Sequence, residues 1–155
     1  MAFEFEFLST SDKPALLALQ TPQFVDTAKM ALAALGYKVH TALNHGDFIA
    51  RFTGIQYQIV ILEEHFDAST LSENLTLQNL QAMPMHQRRH AAVVLIGDMF
   101  QTLNPIQAFG LSVQCVVHRA DVEKLSQVIQ QVVSDNDLFL NVYRDTLTRA
   151  AQGKV

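Results

Sequence analysis

Five short apolar runs, separated by stretches in which apolar residues recur every three or four positions, set the pattern of this chain. "ALLALQ" (residues 15–20) is the first run and reads as a central strand. "TP" then opens a helix, with Thr21 at the N-cap and Pro22 at the first helical position. Phe24, Ala28, Ala31, Leu32 and Leu35 share one face of it, and Gly36 stands where a C-terminal cap glycine belongs. "YKVHTAL" is a second strand. "HGDFIARFTG" is a short helix with Phe48, Ile49 and Phe52 inward, stopped by Gly54. "YQIVIL" (residues 57–62) is apolar on consecutive positions, the mark of a strand covered on both faces.

Thr70 and Glu73 form a capping-box pattern ahead of a helix through Leu71, Leu75 and Leu80, which Pro84 ends. "AAVVLIG" (residues 91–97) is the fourth strand, "NPIQAFG" a brief helix ended by Gly110, and "SVQCVV" (residues 112–117) the fifth strand. Asp121 caps the last helix, whose stripe is Val122, Leu125, Val128, Ile129, Val132 and Val133. "SDND" (residues 134–137) interrupts it, as a new cap or as an exposed turn of one long helix. A further amphipathic stretch carries Leu138, Phe139, Val142, Tyr143 and Leu147. Before all of this, "FEFEF" alternates strictly, with Phe3, Phe5 and Phe7 on one face. That arm is an ordinary edge strand packed on the domain, or one that pairs with another chain through its free edge.

Five strands alternating with helices predict an α/β fold, a doubly wound five-stranded parallel sheet of flavodoxin-like type. The predicted division is an N-terminal arm (residues 1–12), a domain (13–133) and a C-terminal helical extension (134–155).

Composition narrows the function. At 155 residues, 49% hydrophobic and 17% charged, the chain is one globular domain of ordinary size. A net charge of −4 and a pI near 5.8 argue against nucleic acid or an anionic membrane as partner. The dense basic cluster, "HQRRH" (residues 86–90), reads as a short solvated loop. The single cysteine, Cys115, supports neither a disulfide nor a thiolate metal cluster. With no secretory pattern at the N-terminus and no apolar run of membrane-spanning length, the expected location is the cytoplasm.

Ligands of such sheets sit beyond the carboxyl ends of the strands. Leu19 and Gln20, Glu63 and Glu64, Gly97 and Asp98, and His118 and Arg119 fall there. Glu63, Glu64, Asp98 and His118 converge by topology and are chemically suited to a divalent metal, yet no spacing motif supports them, so no metal ligand is assigned. A flavin-phosphate loop would need hydroxyl and glycine residues, and "LQTPQF" offers Thr21 alone. No dinucleotide fingerprint, P-loop or nucleophile elbow is present, so neither a cofactor nor an enzymatic activity is expected.

"KPALLALQTPQFVDTAKMALAALGYKV", "YQIVILE" and "VVHRADVEKL" resemble the receiver domain of bacterial two-component response regulators, over roughly residues 13–133. The resemblance implies phosphoryl transfer to an aspartate at the end of the third strand. Mg²⁺ is held there by acids after the first strand, with a hydroxyl after the fourth and a lysine after the fifth. Carried onto this sequence, the phosphoacceptor position is Glu63 and the acid pair is Leu19 and Gln20. The hydroxyl position is Gly97, the lysine position His118, and the switch aromatic Cys115.

Every chemical position is therefore substituted, which implies a degenerate receiver, or pseudo-receiver, that is not phosphorylated. Glu63 is then a phosphorylation mimic, paired only with His118, or a partly solvated acid without a role. Such a module is expected to act by protein–protein contact in bacterial signalling, including as a homodimer. Its candidate contact residues are Phe3, Phe5 and Phe7 on the arm and Phe139 and Tyr143 on the last helix. The alternatives are a residual metal or small-ligand site at the strand ends, or a flavodoxin-like cofactor enzyme.

Overall fold

The computed structural model describes residues 12–153, apart from the side chain of Phe139; Phe3, Phe5 and Phe7 lie outside the described residues. The strands are β1 (Lys13–Ala18), β2 (Tyr37–Thr41), β3 (Ile59–Glu63), β4 (Ala92–Gly97) and β5 (Cys115–His118). The helices are α1 (Pro22–Ala34), α2 (His45–Gly54), α3 (Leu75–Ala82), α4 (Met85–Arg88), α5 (Pro105–Gly110) and α6 (Leu125–Ala151). All strands pair in parallel in the order β2-β1-β3-β4-β5, the doubly wound sheet that the alternation predicts.

The consecutive apolar positions are needed because both faces of the sheet are covered. Leu17, Ile61 and Ile96 face Leu32, Leu125 and Ile129 on the side of α1 and α6. Leu16, Leu62 and Leu95 face Phe48, Phe52, Leu77 and Leu80 on the side of α2 and α3. Each such side chain, fully buried, contributes about 1.5–3 kcal/mol relative to exposure. β3 and β4 are buried along their whole length, so the ends of the central strands are held rigidly.

Several local expectations change. Thr70 and Glu73 make only a short 3₁₀ turn; α3 starts later, capped by Asn74, whose Oδ1 accepts from the Leu77 N–H at 3.0 Å. Asn74 is preferred because its amide also reaches the end of β3, described below. The α6 region opens as a 3₁₀ segment, Arg119–Lys124, capped by His118. Asp121 instead accepts the Thr102 hydroxyl. α6 then runs unbroken through Ser134 and Asp137, so "SDND" is an exposed turn of one helix about 40 Å long.

"HQRRH" is not a solvated loop either. Arg88 is 3% exposed and donates to the carbonyl oxygens of Leu80 (2.6 Å) and Ser112. Sequence reading counted its charge; the fold uses its fork geometry to satisfy two carbonyl groups that end helical turns.

No helix of the described residues is long and apolar enough to cross a membrane.

Candidate functional site

β3 delivers Glu63 to the middle of the sheet's carboxyl end, and the Glu63 side chain is 1% exposed. It is not the partly solvated acid that its position in the sequence suggests. Its Oε1 accepts the backbone N–H groups of Gln20 and Thr21, both at 2.9 Å. Its Oε2 accepts the Thr21 hydroxyl at 2.9 Å and Nη2 of Arg119 at 3.0 Å. Glu63 thereby serves the chain entering α1 as an anion at a helix N-terminus. This explains why Thr21, although at the N-cap, makes no side-chain cap bond. Its hydroxyl is given to Glu63 instead.

The partner of Glu63 is Arg119, not His118. His118 turns its Nδ1 to the N–H of Ala120 at 2.9 Å and stays on its own turn. Arg119 spans the cleft, donating Nε to Asp98 Oδ1 at 2.7 Å and resting over the Phe24 ring. Partial burial works against its charged form, but the hydrogen bonds and charges of Asp98 and Glu63 outweigh this and raise the guanidinium pKa.

The remaining substituted positions also have structural roles. Leu19 is 7% exposed and belongs to the core, and Gln20 Oε1 accepts the Ala68 N–H at 3.2 Å. Neither side chain can supply the carboxylate charge that Mg²⁺ requires, and the guanidinium of Arg119 already holds the Glu63 oxygen beside them. The residues present therefore do not fit the Mg²⁺ site that the resemblance implies. At Gly97, a Cβ would fall 2.7 Å from the Phe100 ring and 2.8 Å from the Glu64 carboxyl group. A serine or threonine there has to push aside the Phe100 ring and the Glu64 carboxyl group. Cys115 is buried, and burial pushes its thiol up to about 11, with a backbone hydrogen bond from Leu103 opposing; it is a core thiol, not a nucleophile at neutral pH.

Glu64 carries more than sequence reasoning assigned to it. It is 5% exposed, and its Oε1 accepts the Asp98 N–H at 2.9 Å. Asn74, fully buried, donates its amide to the backbone oxygens of Glu63 (3.2 Å) and Glu64 (3.1 Å). Of the four residues expected to converge, Glu64 and Asp98 do meet. The imidazole that joins them is His65, whose Nε2 lies 3.3 Å from Glu64 Oε1. The signal was its place directly after the acid pair in "EEH".

Of the candidate contact residues, Tyr143 has its ring 4.1 Å from the Arg89 guanidinium, within this domain. The most exposed large apolar side chains lie elsewhere, at Met99, Ile106 and Phe109 around α5; Phe109 is 86% exposed. α5 is only six residues long, too short for its helical spacing to mark an outward face.

No protein-family model and no curated protein matches the sequence. Solved structures do. A receiver-domain protein described as CheY-like, from Methanospirillum hungatei, is 13% identical with a TM-score of 0.63, covering 82% of this chain and 98% of its own. The chemotaxis response regulator CheY4 of Vibrio cholerae is 13% identical with a TM-score of 0.63, covering 79% of this chain and 99% of its own. NtrX of Brucella abortus is 15% identical with a TM-score of 0.67, over 93% of this chain and 30% of that one. At these identities the likeness establishes architecture: the chain has a CheY-like receiver fold, a five-stranded parallel sheet of flavodoxin-like type.

Proposed function

We propose that this domain is a pseudo-receiver: it does not take a phosphoryl group, is not an enzyme, and works as a protein–protein interaction module in bacterial signalling. The observation that carries the reading is the saturation of Glu63 by two backbone amides, one hydroxyl and one guanidinium. A nucleophilic oxygen needs a free lone pair, in-line access and a metal to neutralise the incoming group. Glu63 has its oxygens engaged, and the acids that would hold the metal are replaced by Leu19 and Gln20. The same amide contacts weigh against a flavin phosphate after β1. The Glu63–Arg119 pair fixes this end of the sheet in one arrangement, so the module acts as a constant surface and not as a phosphorylation switch.

Exposed Met99, Ile106 and Phe109 support protein contact, because large apolar side chains gathered in one region favour a partner. Homodimerisation is the form of contact proposed for α6, where Leu138 and Val142 are exposed one turn apart. Light scattering on the full chain and on a Leu138→Asp, Val142→Asp variant tests it. A dimer that becomes a monomer supports the proposal; a monomer in both cases removes it.

The phosphorylation claim is tested by recording amide spectra while beryllofluoride and Mg²⁺ are added. Unchanged resonances are expected. Saturable shifts centred on Glu63 and Gly97 would overturn the reading.

A further inference from the structure

The geometry points to a divalent transition-metal site formed by Glu64, His65 and Asp98, at the ends of β3 and β4. One ligand atom from each residue lies within 4.8 Å of the other two. Glu64 is buried, while the side chains of His65 and Asp98 are 43% and 55% exposed. Solvent therefore reaches the site from one side, and water can complete a coordination shell.

The imidazole supplies the independent observation. His65 Nδ1 lies 3.1 Å from the carbonyl oxygen of Ser69, which can only accept. Nδ1 therefore carries a proton, which leaves Nε2 as the ring nitrogen placed to ligate. Nε2 faces Glu64 Oε1 at 3.3 Å and Asp98 Oδ2 at 4.0 Å. Glu63 is saturated by four donors, whereas among the described contacts Glu64 receives a single backbone N–H, from Asp98. A bound cation would give the buried Glu64 carboxyl group a second strong partner.

The outer contacts are those of a metal site. A ligating histidine usually donates its other N–H to a carbonyl group, which fixes tautomer and ring orientation. Here Ser69 does so, and Asp98 is steadied by Arg119 on its other oxygen. Ligands at about 2.0–2.2 Å from a tetrahedral ion stand roughly 3.3–3.6 Å apart. The Glu64–His65 separation already matches, and the half-exposed Asp98 has only to rotate inward. Two carboxylates and one imidazole suit Zn²⁺ or a neighbouring first-row ion over Mg²⁺ or Ca²⁺. Leu19, Gln20 and Glu63 take no part, so the site is separate from the Mg²⁺ position that the fold's phosphoryl chemistry uses. It holds whether or not the domain is phosphorylated.

Calorimetric titration of the full chain with ZnCl₂, with MgCl₂ as control, tests the site alongside ¹⁵N spectra of the histidine rings. One equivalent of Zn²⁺ is expected to bind and to shift His65 Nε2 while Nδ1 stays protonated. His65→Gln and Asp98→Asn should each weaken binding by at least about tenfold. His86→Gln, on exposed α4, should leave it unchanged. Zinc affinity equal in His65→Gln and the parent, or a His65 ring protonated on both nitrogens in the presence of Zn²⁺ at neutral pH, would overturn the assignment. The cluster would then be an ordinary ion pair.

Discussion

Glu63 and Arg119, 56 residues apart in sequence, meet at 3.0 Å across the carboxyl end of the sheet. The two sides of this contact are unequal. The carboxylate is 1% exposed and the guanidinium 31%, so the acid depends on its partners more than the base does. Glu63→Ala leaves the amides of Gln20 and Thr21 and the Thr21 hydroxyl without their acceptor, and Arg119 with Asp98 alone; we expect a loss of about 1–3 kcal/mol for each donor that water does not reach. Arg119→Met keeps the amide contacts and should cost clearly less. Urea unfolding of both variants checks the order; equal losses would mean that the guanidinium, not the amide cradle, carries the energy.

Gly97 is required by close approach and not by backbone conformation. Restoring the receiver-like hydroxyl with Gly97→Ser sets a Cβ 2.7 Å from Phe100 and 2.8 Å from Glu64. Overpacking of this kind typically costs about 1–3 kcal/mol. Thermal unfolding should show a lowered midpoint and beryllofluoride binding should not appear. A stable serine variant would show that Phe100 and Glu64 move aside freely.

Asn74 and Thr70 offer a direct comparison between the cap that folds and the cap that the sequence suggests. Asn74→Ala removes a helix cap, worth about 1 kcal/mol, and a buried donor to the Glu63 and Glu64 carbonyl groups, worth about 1–3 kcal/mol. Thr70→Ala removes no helix-cap bond and should stay within about 0.5 kcal/mol of the parent. Chemical denaturation of the two variants settles which residue starts α3.

His90 stacks on Phe52, and its buried Nε2 has no partner among the described residues. Burial lowers its pKa below the ordinary 6.5. The unfolded chain therefore binds this proton more readily than the native domain. Stability should fall as pH drops from the unfolded value near 6.5 towards the lower native one, and should be unaffected by this group above that window. Urea midpoints measured from about pH 7.5 to about pH 5.5 should decline less steeply for His90→Phe than for the parent. Parallel slopes would remove His90 as the cause.

The periodicity of apolar residues determined the fold by itself. Runs such as "YQIVIL" and "AAVVLIG" can be satisfied only when both faces of a strand are covered, and the helical stripes between them supply the covers. Strand count and the placing of Glu63, Gly97 and His118 at the strand ends follow from that, while the order β2-β1-β3-β4-β5 is seen only in the assembled sheet. What no local pattern carries is which donor reaches which acceptor between distant strand ends. Arg119 and not its neighbour His118 takes Glu63, because the chain leaving β5 turns the imidazole back onto Ala120. Asn74 outcompetes Thr70 as a cap because it alone also reaches the end of β3. His65 joins Glu64 and Asp98 because the Ser69 carbonyl orients its ring. Burial patterns are written along the chain, residue by residue; the pairing of polar groups depends on distances that exist only once the sheet has assembled.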